Sequence, residues 1–105
     1  MDDCIEAEIL IDFTLFPDVK GARRSMGTAA YRPNHQFRNY TSTFIGFIDF
    51  ENGICEPGDT VRAQVHSLFE PGMKHLLVIG NSWDVKEGSK LVGKAMIKEV
   101  DFRDS

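Results

Sequence analysis

The nine residues Ile5-Glu6-Ala7-Glu8-Ile9-Leu10-Ile11-Asp12-Phe13 decide the fold class of this chain. Every second residue from Ile5 to Phe13 is apolar, and three of the four residues between them are acidic. Because successive side chains of a β-strand point to opposite faces, this period of two predicts a half-buried strand.

The rest of the chain continues the pattern of short apolar runs between turn signals. Asn52-Gly53 and Pro57-Gly58-Asp59 are turn sequences, and Gly46 within an aromatic run indicates a bulge or a close backbone approach. The segment 14–30 and the polar segment 81–88, which contains Trp83, are predicted to be loops. Further strands are predicted over about 35–40, 43–50, 60–67, 76–79 and 91–100.

About six strands without a helical segment indicate an all-β protein, either a sandwich or a small barrel. A barrel is favoured because closure removes exposed sheet edges. The chain has 105 residues, of which 42% are apolar, which suits one core and not two. We expect one domain over 1–105, with its core over about 4–100 and a frayed tail over 101–105.

The composition also bears on location. No apolar run approaches the ~20 residues that cross a bilayer, and the N-terminal Met-Asp-Asp-Cys-Ile-Glu carries acidic residues where a signal peptide carries basic ones. Cys4 and Cys55 lie far apart without a Cys-x-x-Cys pair, which favours reduced, partly buried thiols. We expect a cytoplasmic protein that does not contact a membrane.

Motifs for catalysis and cofactor binding are missing from the sequence. His35, His66 and His75 lack the close spacing of a zinc site. The window 21–27 lacks the lysine and the following helix of a phosphate-binding loop, and the histidines accompany no recognisable nucleophile. We therefore expect no metal, cofactor or nucleotide, and a protein that is not an enzyme.

The charge is unevenly distributed along the chain. From Val19 to Ile48 there is no acidic residue, and this window carries a charge of +5, so the rest of the chain carries −9 for a total of −4. Such a split predicts a positive surface patch that contacts phosphates or an acidic protein face. The pI near 5.3 argues against strong nonspecific nucleic-acid binding. The basic residues of the window are Lys20, Arg23, Arg24, Arg32 and Arg38.

Four motifs follow one another in a recognisable order. They are Ile5-Glu6-Ala7-Glu8-Ile9; a loop with Gly21, Arg23 and Arg24 that ends in Tyr31-Arg32-Pro33 and is followed by Phe37-Arg38; Pro57-Gly58-Asp59-Thr60-Val61; and Lys86-Glu87-Gly88-Ser89-Lys90-Leu91-Val92-Gly93. Over residues 4–100, this order resembles the third, C-terminal β-barrel domain of elongation factor Tu.

The resemblance implies a six-stranded antiparallel barrel without a catalytic role, which packs against other domains and contacts the T-stem backbone of aminoacyl-tRNA. Glu87 and Gly88 fall on family positions near the T stem, and Asn34 stands where the family usually has glutamine. The GTPase domain and the aminoacyl-end pocket are absent from these 105 residues. We therefore expect a stand-alone domain of this kind rather than a factor that performs the elongation cycle.

The leading hypothesis is a non-enzymatic interaction module that binds a macromolecular partner, with a protein favoured, through 19–38 and the neighbouring 80–88 segment. An RNA-binding accessory domain that contacts a tRNA-like stem is the first alternative, and an inhibitor or immunity-type protein that mimics the elongation-factor domain is the second. The residues expected to contact the partner are Lys20, Arg23, Arg24, Arg32, Asn34, Arg38, Trp83, Glu87 and Gly88.

Several of these residues also have a purely structural interpretation. Tyr31-Arg32-Pro33 either contributes to binding or pins its loop to the barrel, with Arg32 bonding carbonyls. Trp83 either anchors a partner or caps the end of the barrel, and capping is favoured. The run 44–48 is apolar on both faces, which favours a central strand over half of a dimer contact. The sequence leaves the oligomeric state open.

Overall fold

The structure, a computed structural model, describes residues 4–25 and 30–103. In these residues it contains nine β-strands and a 3-10 helix over Pro71–Leu76. The strands are β1 (Ile5–Leu15), β2 (Arg23–Arg24), β3 (Asn34–Phe37), β4 (Phe44–Ile45), β5 (Ile48–Phe50), β6 (Ile54–Cys55), β7 (Thr60–Phe69), β8 (Ser82–Glu87) and β9 (Lys90–Arg103). No helix of the described residues has the length and apolar character needed to cross a bilayer.

Seven of the strands form one antiparallel sheet in the order β4-β3-β8-β9-β1-β7-β5, and β2 pairs with β6 beside it. The sheet curls into a half-barrel, so the predicted all-β, barrel-like architecture is confirmed. Nine strands stand where about six were expected. Residues 43–50 are divided into two strands, β2, β6 and β8 form in segments predicted as loops or turns, and the predicted strand 76–79 is absent.

The first strand lies at the centre of the sheet, paired with β7 on one side and with β9 on the other. Its predicted alternation is confirmed: Ala7, Ile9, Ile11 and Phe13 are fully buried, and the pattern continues to Leu15. The register with β9 shifts between Leu10 and Ile11, a bulge of the kind that increases strand twist and helps a sheet to curl.

The two edge strands, β4 and β5, are consecutive in the chain, and residues 44–48 cross from one sheet edge to the other. We call this crossing the seam. Gly46 lies in its middle, and a Cβ placed there would meet Val65 Cγ1 and the carbonyl oxygen of His66 at 3.1 Å. The close backbone approach expected at Gly46 is therefore confirmed.

The polar backbone groups at the seam have hydrogen-bond partners. The hydroxyl of Ser67 donates to the carbonyl of Ile45 at 2.7 Å, and the ring of His35 bonds the carbonyl of Gly46 at 2.9 Å. On the β5 side, Ile48 N donates to the carbonyl of Tyr31 at 2.9 Å and Phe50 N to the Ser25 hydroxyl at 3.0 Å. These bonds give the crossing backbone partners on both sides, which is how the curled sheet is held together at the seam.

Three sequence predictions for this sheet are wrong. Residues 43–50 do not form a central strand, since they divide at Gly46 into two edge strands. Residues 76–79 are not a strand: Leu76 ends the Pro71–Leu76 helix, and the following residues form a turn that ends at Gly80. The positive φ of 93° at Gly80 is a backbone conformation that favours glycine. Residues 82–87 of the predicted loop are strand β8, because Trp83 and Val85 alternate inward with polar neighbours.

The predicted frayed tail also differs from the structure. Residues 101–103 continue β9, with Phe102 opposite Ala7 and Arg103 opposite Glu6, while 104 and 105 lie outside the described residues. In the long segment 14–30, residues 14 and 15 belong to β1 and 23 and 24 to β2, and residues 26–29 are not described.

We expect Gly93→Ala to destabilise the barrel by about 3 kcal/mol. A Cβ at Gly93 would clash with the carbonyl oxygen of Thr14 and the ring of Phe13, which are parts of the central strand. Gly72→Ala is the matched control, since its Cβ would make ordinary contact with the Tyr40 hydroxyl at 3.4 Å. Gly93→Ala should unfold at a lower urea concentration than Gly72→Ala, and equal midpoints for the two variants would contradict the close packing of Gly93 against the central strand.

Candidate interaction surface

The basic window of the sequence does not form one surface. Arg23 and Arg38 pair with carboxylates of β8, namely Glu87 and Asp84. The guanidinium of Arg32 lies over the Phe47 ring at 5.9 Å from its centre, and it bonds no carbonyl of residues 4–25 and 30–103. Within the described part of the chain, Lys20, Arg24 and Arg32 form no salt bridge.

Arg23 and Glu87, both expected to contact a partner, are bonded to each other. Arg23 Nε donates to Glu87 Oε2 at 2.6 Å and Nη2 to Oε1 at 2.8 Å, which is a two-pronged contact. The hydroxyl of Tyr31 donates to the same carboxylate at 2.6 Å. These contacts tie both ends of the 23–31 segment to the end of β8, which favours the structural interpretation of the Tyr31 motif.

The ionisation of these groups follows from that geometry. The hydrogen bond from Arg23 lowers the pKa of Glu87, and the same bond raises the pKa of Arg23. Burial raises the pKa of Tyr31, and its hydrogen bond to Glu87 raises it further. The carboxylate is thus held in its charged form by two donors from one segment.

We expect Glu87→Gln to lower the free energy of unfolding at neutral pH by about 1–2 kcal/mol, because it removes a charge-assisted two-pronged bond. Since the pKa of Glu87 is lowered in the folded state, this contribution is present above the ordinary carboxyl pKa and lost as the pH falls below it. Chemical denaturation at pH 7 and pH 3 measures both, and an equal deficit at the two pH values would contradict the assignment.

Trp83 is a core residue. Its side chain is 1% exposed, so it does not present a surface to a partner, and the expectation that it anchors one is wrong. The indole Nε1 donates to His35 Nδ1 at 2.8 Å, and the ring packs on Phe37 and Phe44. The alternative, that Trp83 caps the end of the barrel, is compatible with this burial.

His35 is a fully buried polar residue whose burial the sequence analysis did not predict. Because Nδ1 accepts from Trp83, the ring proton lies on Nε2, which donates to the carbonyl of Gly46. Burial lowers the pKa of His35 to about 4. The alternation of His35 and Phe37 on one strand face was the signal that could have placed His35 in the core.

We expect the barrel to lose stability as the pH falls from about 6.5 to about 4, since unfolded His35 takes up a proton in this range and folded His35 does not. The loss should be on the order of 3 kcal/mol and should level off below about pH 4. NMR titration of ring-labelled histidine tests this directly. A His35 ring that titrates near pH 6.5 in the folded protein would contradict the neutral, buried assignment.

Three cations, Arg38, Lys86 and Lys94, lie around a depression where β3 and its following turn meet β8. Arg38 is 71% exposed at its side chain and contacts Asp84 loosely at 3.5 Å, and Lys94 is paired with Asp84 in the β8–β9 register. Two adjoining hollows of about 510 and 290 Å³ share Phe37, Arg38, Asn39 and Asp84. We call this depression the β3–β8 groove; it is also lined by Gln36, Tyr40, Thr41, Leu76, Asn81, Ser82, Lys86 and Lys94.

The wall of the groove is fixed by a chain of hydrogen bonds. Lys86 Nζ donates to Gln36 Oε1 at 3.0 Å, and Gln36 Nε2 donates to the carbonyl of Tyr40 at 2.9 Å. Asn39 adopts a φ of 66°, which asparagine tolerates in turns, and Tyr40 N bonds the carbonyl of Phe37. The groove is therefore preformed, with three cations and one carboxylate among its lining residues.

The other predicted contact residues lie in different places. Asn34 begins β3 opposite Lys86, on the same strand pair as the groove, so of the expected segments 19–38 and 80–88, residues 34–37 lie beside residues 83–86. Gly88 forms the tip of the β8–β9 hairpin with a φ of 63°. Lys20 and the exposed Arg24 lie on the segment around β2, and the structure gives them no link to the groove.

The cysteines are both free thiols: Cys4 is exposed and Cys55 is buried. The expectation of two partly buried thiols is thus wrong for Cys4, which precedes the first strand rather than packing in it. Burial raises the pKa of the Cys55 thiol to about 11, so it is protonated at neutral pH.

Comparison with known proteins adds no assignment to this geometry. No family model matches the chain, and no curated protein matches it.

Proposed function

We propose that this protein is a non-enzymatic interaction module that binds an acidic segment of a partner protein in the β3–β8 groove. The observation that carries the proposal is the excess of cations there: Arg38, Lys86 and Lys94 surround one carboxylate, Asp84, in a protein whose total charge is −4. A local positive site on an acidic protein attracts carboxylates at short range.

The groove suits carboxylates of a peptide chain. Arg38 is exposed and held by one long contact, so its guanidinium is available for a two-pronged bond to an incoming carboxylate. The amide and hydroxyl groups of Asn39, Thr41 and Asn81 in the lining supply hydrogen bonds to a peptide backbone. Because Lys86 is already positioned by Gln36, binding orders few further side chains.

The strongly perturbed groups support an interaction role rather than catalysis. The Glu87 carboxylate accepts hydrogen bonds from both Arg23 and Tyr31, and His35 is buried between Trp83 and Gly46. Each of these groups forms hydrogen bonds that hold parts of the barrel together, and none of them lines the groove. The resemblance to the third domain of elongation factor Tu, where the domain acts by contact, points the same way.

An RNA-binding accessory domain that contacts a tRNA-like stem is the second candidate. The same three cations would pair with phosphates, and the resemblance implies a T-stem contact in that family. The overall negative charge of the chain favours the protein partner, because it repels the dense phosphate charge of an RNA stem more strongly than the sparser carboxylates of a peptide. We propose the cytoplasm as the compartment, which agrees with two free thiols.

A charge-reversal experiment tests the site. We expect Arg38→Glu with Lys86→Glu to weaken binding of a fluorescein-labelled Glu-rich peptide at least about tenfold by anisotropy, because two attractive contacts become repulsive. Lys20→Glu with Arg24→Glu makes the same change of charge outside the groove and should alter affinity by less than about twofold.

The outcomes separate the candidates. An equal loss of peptide affinity in the two double variants would show that only overall charge matters, and it would overturn the groove as the binding site. A wild-type protein that binds no acidic peptide would overturn it as well. An RNA stem-loop that shifts at about 50 mM salt while the peptide does not bind would replace the protein partner with the second candidate.

A further inference from the structure

Three large apolar side chains are exposed beside the seam. The side chain of Ile45 is 51% exposed, that of Phe47 is 55% exposed and that of Leu68 is 60% exposed. The β5–β7 register pairs Ile48 with Val65, and its continuation through Gly46 places Phe47 opposite His66 and Ile45 opposite Leu68. The three therefore lie on one outward face, which we call the seam patch.

Opposite charges border the seam patch on its two sides. On one side the guanidinium of Arg32 lies over Phe47, and Tyr31 next to it bridges Ile48. On the other side β1 pairs with β7, so that Glu6 lies opposite Leu68 and Glu8 opposite His66. Three strand spacings, about 15 Å in all, separate the cationic side from the anionic side.

We propose that the seam patch binds a second copy of this chain as a symmetric dimer. A two-fold axis that lies in this face and runs along the strands brings the apolar strip of one copy onto that of the other. The same rotation places Arg32 of each copy against the Glu6 and Glu8 side of its partner. The patch is thus complementary to itself in both hydrophobicity and charge.

The contacts already present within one copy are compatible with this dimer. Glu6 accepts from the ring of His66 at 2.6 Å, and Glu8 is paired with Arg103. A carboxylate with two oxygens accepts further bonds, so Arg32 of the second copy adds to these pairs. The Arg32 guanidinium over the Phe47 ring is a cation–π contact, and arginine is one of the residues enriched where protein interfaces gain most of their binding energy.

This inference is independent of the proposed peptide groove, because no residue that lines the groove belongs to the seam patch. A patch of three apolar side chains is at the small end of the interface range, so we expect a dimer that dissociates in the micromolar range. Binding of acidic peptide and dimerisation should therefore respond to different substitutions.

Sedimentation velocity over a range of concentrations tests the dimer. The wild-type chain should shift from 11.8 kDa towards twice that mass as its concentration rises through about 10–100 µM. Phe47→Asp should remain monomeric over this range. Ile79→Asp is the matched control, since Ile79 is 72% exposed away from the seam and should leave the dimer intact.

A mixing experiment identifies the partner as a second copy in this orientation. Arg32→Glu alone and Glu6→Arg alone each place like charges across the two-fold axis and should be monomeric. An equal mixture of the two variants restores two opposite-charge pairs and should dimerise at least about tenfold more strongly than either variant by itself. Backbone NMR spectra of each variant confirm that it is folded.

The outcomes are decisive in both directions. A wild-type chain that stays monomeric at all concentrations would overturn the dimer. A dimer that persists in Phe47→Asp would overturn the seam patch as the interface. So would a mixture of the two folded charge variants that dimerises no more strongly than either variant alone.

Discussion

The close approach of Gly46 to β7 is the constraint on which the barrel depends. The two edge strands are separated in the chain by two residues, so the seam closes only if the crossing backbone comes within contact of Val65 and His66. Glycine permits this approach because it has no Cβ. The hydrogen bonds of Ser67 and His35 to the crossing carbonyls then replace the ladder that two ordinary neighbouring strands would share.

Closure at the seam also explains why the aromatic residues gather where they do. Phe44 enters the interior from the seam and packs on Phe69 and on the His35–Trp83 pair. The histidine occupies a position where an apolar ring would fill the same space but would leave the indole N–H and the Gly46 carbonyl without partners. Such an unpaired buried group costs about 1–3 kcal/mol, which accounts for a polar ring in the core.

The sequence predicted the parts of this structure that depend on a strong local period. β1 and β7 alternate over many residues, and the Pro57-Gly58-Asp59 turn places Gly58 at a φ of 91°. Prediction failed where local and tertiary preferences compete. Residues 44–50 have the composition of one strand. They divide because they connect the two edges of the sheet, and this contact between distant strands is not visible in any local sequence pattern.

The acid-free window contains β3, which forms one wall of the candidate groove, but charge counting along the chain does not show which cations the fold neutralises. Arg23 is neutralised by Glu87, which is distant in sequence and adjacent in space. Lys94, in contrast, joins the groove from β9, because the β8–β9 pairing brings it beside Asp84.

The pairing of Ile5–Leu15 with Lys90–Arg103 has a mechanical consequence. The start of β1 and the end of β9 lie side by side at the same end of the barrel, with Glu6 opposite Arg103. A force that pulls these two strand ends apart acts across the ladder and breaks its hydrogen bonds one after another, like a zipper. Tethered by its ends, this barrel would thus open at low force, although its core is well packed.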